Sequence, residues 1–205
     1  FAAVPDTTDL TGTPTYVKVK GEIELNATVD VPATKNIMLV AAEDTTIKRA
    51  AGFTGSMFTV NGGNLQMAGG SVTDSDGTAI GSGSLTVDGS GDGVTGSIVE
   101  VVSGNYGLTD DAVLTGNKTT GNAGAISNTA DGNVYLLGGT ITGNSATTGG
   151  AIYSEGAVSI RGTVSVTGNT VINSTPETAS NVVLDKNGII NVNGAVTGST
   201  IGLAV

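Results

Sequence analysis

Hydrophobic residues in this chain alternate with polar residues in short runs, as in Val158-Ser159-Ile160 and in Val164-Ser165-Val166. A two-residue period is typical of β-strands that bury one face. Clusters of Gly, Asn, Asp and Ser separate the runs and favour turns. No apolar stripe at helical spacing extends beyond a turn or two. The pattern predicts short strands, among them 16–20, 22–25, 36–40, 57–60, 64–67, 84–87, 97–102, 133–136, 158–161, 163–167, 181–184 and 188–192.

The alternating runs belong to an internal repeat. Four segments each begin with Gly, a small residue and an apolar anchor, and the anchors are Met57, Ile98, Ile126 and Ile152. Successive anchors are 41, 28 and 26 residues apart. A period in the twenties with several strands per unit is typical of a solenoid, in which stacked units share one core. The long first gap contains the Gly- and Asp-rich stretch 73–93, which is interpreted as an extra partial coil or a loop extension.

The repeat predicts an all-β fold, a right-handed parallel β-helix of about seven or eight coils. We expect a single domain over residues 1–205, with an N-terminal cap and first coils at 1–40, regular coils at 41–175 and C-terminal coils or a cap at 176–205. A leucine-rich repeat would need more Leu and helical segments. An antiparallel β-sandwich also has short, evenly spaced strands, but it gives no reason for a repeat of this length.

The sequence apolar-Thr-Gly-Asn occurs three times and ends at Asn117, Asn144 and Asn169. Equivalent positions on successive coils of a β-helix lie about 4.8 Å apart, so stacked Asn side chains can form a structural ladder of hydrogen bonds. The preceding Gly allows a tight turn. We therefore predict that the three Asn residues form one column at a corner. The simpler interpretation is that Asn is common in turns.

Composition limits the chemistry. The chain has 18 acidic and 8 basic residues, a net charge of −10, and neither His nor Cys. Nucleic acid is not an expected partner, because phosphate binding needs a basic surface. Zinc sites and Ser-His-Asp or Cys-His catalysis lack their residues. No stretch approaches the roughly 20 apolar residues of a membrane helix, so we expect no membrane insertion by this segment. The start Phe-Ala-Ala, without Met, suggests a processed chain or an excised fragment.

Acidic residues are the remaining candidates for metal binding or catalysis. Asp74 and Asp76 lie in one Gly-containing turn, Asp88 and Asp92 in a second, and Asp110 with Asp111 in a third. The first two turns resemble parts of calcium loops without the full ligand pattern, so calcium is a weak candidate and no cofactor is expected. Acidic turns in solvent are the favoured interpretation. We predict no catalytic residues and no enzymatic activity.

Three side chains are candidates for contacting a partner. The alternation places Tyr135, Tyr153 and Arg161 on outward positions, close together in the repeat alignment. Aromatic and Arg side chains are enriched at interfaces, so these residues form the predicted binding surface. The favoured interpretation is that they are ordinary surface residues.

The repeat resembles a known class of proteins. Gly149-Gly150-Ala151-Ile152, repeated in part at Gly124-Ala125-Ile126, resembles the GGA-aliphatic motif of bacterial polymorphic outer-membrane proteins. Leu114, Ile141 and Val166 stand where the partner motif of that family has Phe. More broadly, residues 35–170 resemble β-helical repeat regions of bacterial surface proteins and autotransporter passengers.

This resemblance implies export to the bacterial cell surface or the extracellular space. It also implies adhesion to a protein or glycan on a host or neighbouring cell. The predicted function is a non-catalytic module that acts in adhesion or as a stalk. The alternative is a polysaccharide-degrading, pectin-lyase-like β-helix enzyme, a lyase or hydrolase, or an inactive relative of one.

Overall fold

The computed structural model describes residue 10 and residues 12–109, 111–172, 178–185 and 187–203. In these ranges the chain forms strands and turns and no helix. The strands are β1 (Thr15–Leu25), β2 (Val29–Pro32), β3 (Asn36–Arg49), β4 (Phe58–Ala68), β5 (Val72–Thr73), β6 (Ala79–Gly81), β7 (Leu85–Asp88), β8 (Val99–Leu108), β9 (Ala112–Thr115), β10 (Ile126–Asn128), β11 (Gly132–Leu136), β12 (Gly139–Thr142), β13 (Ser145–Ala146), β14 (Ile152–Ser154), β15 (Ala157–Gly162), β16 (Val164–Val166), β17 (Thr170–Val171), β18 (Val182–Leu184), β19 (Ile189–Val196) and β20 (Thr200–Ile201).

Parallel pairing between successive turns builds a β-solenoid with three faces. The first face contains β2, the first halves of β4 and β8, and then β10, β14 and β18. The second face contains the first halves of β1 and β3, the second halves of β4 and β8, and β11, β15 and β19. The third face contains the second halves of β1 and β3, followed by β7, β9, β12, β16 and β20.

The predicted all-β parallel solenoid is therefore confirmed, with about six turns instead of seven or eight. The count is lower because the long first gap adds no complete turn. Long strands pass from the first face to the second by bending at glycine. Gly62 in β4 has φ 88° and Gly104 in β8 has φ 84°. Glycine adopts this left-handed region without the steric penalty that a β-carbon brings.

The predicted repeat alignment is wrong by one residue at its centre. Ile126 pairs with Val99 and not with Ile98, and it pairs on its other side with Ile152. The error arises because the earlier repeats have two adjacent buried apolar residues, Ile98 and Val99 in the second of them. Later repeats have Ala at the first of these positions. Sequence alone did not identify which apolar residue begins the strand.

The long gap between repeats forms a hairpin that covers the outside of the second face. Strands β5 and β6 pair antiparallel, unlike the strands of the three faces. Val72 and Ile80 pack against a small cluster of outward-facing residues that is separate from the main core, namely Met38, Val40 and Ala68. The chain then rejoins the solenoid at β7, which pairs with β3 and β9. The gap is thus a loop extension and not an extra coil.

The main core is a set of apolar columns that run along the solenoid axis. One column consists of Val17, Leu39, Met67, Leu108, Leu136, Ile160 and Val192, each in register with the next. The middle members are buried, whereas Val17 is 38% exposed and Val192 is 64% exposed at the two ends. Each turn therefore buries its apolar side chains mainly against its neighbours, as expected for a solenoid.

Glycine in the repeated Gly-Ala-Ile segment permits close approach of successive turns. A β-carbon on Gly124 would collide with the Gly150 carbonyl oxygen, and one on Gly150 would collide with the Ser180 carbonyl oxygen. The stacked corners that precede the first face leave no space for a side chain there. The glycines that suggested the resemblance therefore have a packing role in this fold.

Candidate functional site

Asn117, Asn144 and Asn169 form one buried column at the corner that follows the third face. The Asn117 backbone N–H donates to Asn144 Oδ1 at 3.1 Å, and the Asn144 backbone N–H donates to Asn169 Oδ1 at 3.0 Å. The Asn144 side-chain amide also donates to Asn169 Oδ1 at 3.1 Å. The ladder satisfies backbone groups that a corner would otherwise bury without partners. Its role is structural.

The ladder extends at both ends through residues that the sequence repeat does not identify. At one end Asn169 donates to Asn181 Oδ1 through its backbone, at 3.2 Å, and through its side chain, at 2.9 Å. At the other end the guanidinium Nη2 of Arg49 donates to Asn117 Oδ1 at 3.3 Å. The turn between Arg49 and Asn117 has Ser90 at the position equivalent to Asn117. The absence of Asn at this position was the signal in the sequence that another residue must take its place in the ladder.

Arg49 is a buried cation held by uncharged groups. Its side chain is 6% exposed and donates to the carbonyl oxygens of Gly89, Phe53 and Gly55. The guanidinium carbon also lies 5.1 Å from the Phe53 ring centre, a cation–π distance. Burial lowers the pKa of Arg49. No carboxylate of the described residues forms an ion pair with it.

A second ladder lies on the outside of the solenoid, where the second face begins. The Asn105 side-chain amide donates to Asn64 Oδ1 at 2.8 Å, and the Asn133 amide donates to Asn105 Oδ1 at 3.1 Å. These residues are only partly buried. Asn64, Asn105 and Asn133 are 41 and 28 residues apart, the same spacings as the anchors Met57, Ile98 and Ile126, so the repeat alignment contained a signal for this ladder that the sequence analysis did not use.

The three predicted contact residues do not form one surface. Tyr153 lies on the first face in β14, whereas Tyr135 and Arg161 belong to β11 and β15 of the second face. Tyr153 is partly exposed, and its hydroxyl donates to Asp185 Oδ2 at 3.2 Å. Desolvation and the Asp185 carboxylate raise the pKa of Tyr153. Arg161 is also partly exposed.

The expectation that Tyr135 is exposed is wrong, because only 5% of it is accessible. Its side chain points outward, because the neighbouring Val134 and Leu136 face inward. Another part of the polypeptide chain covers the second face here. Tyr135 pairs with Gly107, and Leu10 Cδ1 lies 3.2 Å from the position of a β-carbon on Gly107. Strand alternation predicts direction and gives no information on what covers an outer face.

The acidic candidates are spread over separate turns. Asp74 and Asp76 lie in the β5–β6 hairpin loop, where Asp74 Oδ1 accepts hydrogen bonds from the backbone N–H groups of Asp76, at 3.0 Å, and Thr78, at 2.8 Å. Asp88 Oδ1 accepts from the Ser90 backbone and hydroxyl, and Asp92 is exposed. Among the described residues no group of three or more acidic side chains is placed to hold a metal ion. Asp110 lies outside the described residues.

The surface of the described residues has a polar first groove and a second groove whose lining is mainly apolar. The first groove has a volume of about 320 Å³ and lies beside the first face. The strand residues Glu100 and Ser127 line one side, and stacked corners that include Ser56, Thr95 and Asn122 line the other. The second groove has a volume of about 420 Å³ and lies on the third face, around Asp111, Thr140 and Ser165. Among the described residues, the lining of the first groove includes one acidic residue, Glu100, and that of the second includes one, Asp111.

Comparison with known proteins identified no relative. A scan against protein-family models, a search of curated proteins and a search of solved structures each gave no match. In the part of the chain that the structure describes, no helix is long and apolar enough to cross a membrane.

Proposed function

We propose that this chain is a non-catalytic module of a secreted or surface-anchored bacterial protein, located extracellularly or at the cell surface, which acts in adhesion or as a stalk. One observation carries the proposal. The apolar columns and the buried Asn ladder hold the solenoid together from inside, so the partly exposed side chains of the faces contribute little to stability. Such positions are free to serve binding.

Adhesion is favoured over a passive stalk because the surface has grooves as well as flat strands. The first groove is concave, polar and lined by side chains outside the main core, including Glu100 and Ser127. A spacer needs length and rigidity but has no use for such a groove. The expected partner is a protein or glycan on a host or neighbouring cell.

A binding assay with the whole 205-residue chain tests adhesion against the stalk role. For an adhesin we expect saturable attachment to cells. Replacement of both Tyr153 and Arg161 by Ser should weaken attachment with little change in melting temperature, since both side chains are partly exposed. Tyr135 remains unchanged in this variant because it is buried. Absence of attachment to every cell type tested would favour the stalk.

The second candidate function is polysaccharide cleavage, which a polar groove on a parallel β-helix also suggests. Most glycosidases need two carboxyl groups that flank the scissile bond, and the described lining of each groove here includes one. We therefore expect no cleavage of pectin, other uronates or common host glycans. Cleavage that Glu100→Gln or Asp111→Asn abolishes would establish the enzyme and refute the non-catalytic module.

A further inference from the structure

The first groove continues along the first face as a row of outward side chains. Register places Thr59 beside Glu100, Glu100 beside Ser127, and Ser127 beside Tyr153. Neighbouring strands in a sheet are about 4.8 Å apart, so Glu100 and Tyr153 are separated by about twice that distance. This row presents a carboxylate, a hydroxyl and an aromatic ring in a straight line across successive turns.

Glu100 has hydrogen-bonding capacity that the fold does not use. Its Oε2 accepts a hydrogen bond from the Ser56 hydroxyl at 3.1 Å, and among the described residues neither oxygen forms an ion pair. The side chain is partly exposed at the groove. The Ser56 contact orients the carboxylate and leaves Oε1 available to a ligand. A charged acceptor forms stronger hydrogen bonds than a neutral one.

The rest of the lining determines which ligand chemistry fits. The groove lining includes the hydroxyl residues Ser56, Thr95, Ser97 and Ser127 and the amide residue Asn122, and none of the described lining residues is Lys or Arg. Hydroxyl and amide groups both donate and accept, as the hydroxyl groups of a sugar do. The Glu100 charge, within a chain of net charge −10, repels carboxylate and sulfate groups. Neutral sugars therefore fit this groove better than uronates or sulfated glycans.

Tyr153 provides an apolar platform next to this polar lining. Its ring is partly exposed on the same face, and the hydrogen bond from its hydroxyl to Asp185 holds the ring in one orientation. A ring that is held in place loses little conformational entropy when a ligand stacks on it. The groove volume of about 320 Å³ lies at the lower end of the range for small-ligand pockets. The site therefore fits a short stretch of a ligand that continues towards Tyr153.

We propose that the first groove binds a neutral, hydroxyl-rich saccharide chain, with Glu100 accepting hydrogen bonds from sugar hydroxyls and Tyr153 stacking against a sugar ring. The inference rests on the proposed adhesion function and names the chemical class of its ligand. A cationic peptide is disfavoured, because the groove offers it one carboxylate among many groups that also donate hydrogen bonds.

The test compares binding of the whole chain to neutral, uronate-containing and sulfated oligosaccharides of equal length. We expect saturable binding of at least one neutral glucan, mannan or galactan, and at least tenfold weaker binding of the anionic set. Glu100→Ala and Tyr153→Ala should each weaken neutral binding at least tenfold, whereas Tyr153→Phe keeps the ring and should retain most of the affinity. Asp111→Asn, in the second groove, is the matched control and should bind like the parent chain.

Circular dichroism and melting temperature establish that each variant is folded. Equal or tighter binding of the anionic set, or neutral binding unchanged in Glu100→Ala and Tyr153→Ala, would overturn the proposal. Binding of poly-lysine that Glu100→Ala abolishes, without saccharide binding, would assign the groove to a cationic partner instead. Attachment to cells without binding of any saccharide in the panel would refute the saccharide site and leave adhesion standing. Absence of both would refute adhesion as well.

Discussion

At the scale of single residues, the buried corner ladder is the part of the molecule with the most specific hydrogen bonding. Asn144 occupies its centre, where the side chain accepts from Asn117 and donates to the Leu114 and Thr142 carbonyl oxygens as well as to Asn169. Its amide therefore joins three successive turns. Removal of one partner from a buried network leaves the other groups unsatisfied, which costs more than the bond itself contributes.

Asn144→Ala should accordingly reduce the free energy of unfolding by about 1–3 kcal/mol. Denaturant unfolding followed by circular dichroism measures this change. Asn193→Ala, at an exposed position in β19, is the control and should change stability by less than about 0.5 kcal/mol. Equal effects of the two substitutions would show that the ladder does not stabilise the protein.

Arg49 lies at the end of the ladder, and its planar guanidinium group donates several hydrogen bonds in a geometry that no other side chain reproduces. Arg49→Met removes the hydrogen bonds to Gly89, Phe53, Gly55 and Asn117, so we expect a loss of about 1–3 kcal/mol despite relief of the buried charge. Arg49→Lys keeps the charge without the planar fork and should also destabilise. Thermal unfolding measures the stability of both Arg49 variants, and Arg161→Met, at a half-buried position, is the control. A stability for Arg49→Met equal to that of the parent would contradict this role.

Tyr153 gives a pH signature of the first face. Its pKa is raised by desolvation and by Asp185, so the midpoint of its ionisation should lie above the ordinary value of about 10. A raised pKa means that its contribution to stability is complete below about pH 10 and is lost as pH rises through the folded-state value. Phenolate absorbance, compared with Tyr153→Phe, reports this titration. Asp185→Asn should move it towards lower pH, and an unshifted curve would remove Asp185 as a cause.

At the scale of elements, the β5–β6 hairpin protects an apolar patch on an otherwise polar exterior. Ile80 and Val72 cover Met38, Val40 and Ala68, which would otherwise face solvent on the second face. This satellite cluster adds apolar burial outside the main core. The hairpin therefore serves as a cover, and its position explains why the long gap in the repeat does not lengthen the solenoid.

Ile80→Ala should lower the free energy of unfolding by about 2 kcal/mol, because it leaves a cavity over this cluster. The β-rich circular dichroism spectrum should be unchanged, since the hairpin lies outside the main core. Ala79→Ser, at the exposed neighbouring position, is the control. A loss no larger than that of Ala79→Ser would mean that the hairpin does not stabilise the second face.

At the scale of the whole molecule, the solenoid has a protected middle and less protected ends. Large apolar residues of the last turns are exposed, with Ile189 52%, Val192 64% and Leu203 62% accessible. Among the described strands, central ones pair on both sides, whereas β19 pairs with β15 alone. Stability in a solenoid is a sum of contributions from units and their neighbours, so terminal turns open first.

Hydrogen exchange should therefore show a gradient along the axis. We expect the slowest amide exchange in β8 and β11 and faster exchange in β19 and β20, because the last turn has a neighbour on one side only. Mass spectrometry of exchanged peptides measures this order. Uniform protection from β8 to β20 would indicate a single cooperative unit instead of a gradient.

Sequence by itself determined the architecture of this protein. Alternating apolar residues identify strands. A repeat of about 20 to 30 residues indicates that successive turns stack in parallel and bury these apolar residues against one another. The repeated Asn residues indicated the corner column in advance, because equal positions in equal turns must lie one above another. Strand alternation is a local pattern and the Asn repeat is a periodic one, and both kinds of pattern can be read directly from the order of residues.

Only the tertiary structure decided which residues face solvent and which meet across turns. Tyr135 and Tyr153 have similar outward positions in their strands. Another part of the polypeptide chain covers the second face at Tyr135, whereas the first face is partly exposed at Tyr153. Arg49 reaches a ladder 68 residues away along the chain, and Glu100 joins Ser127 and Tyr153 in one row through pairing of three strands. Burial and contact between distant residues depend on how the turns stack and on what covers them, and alternation within one strand contains neither.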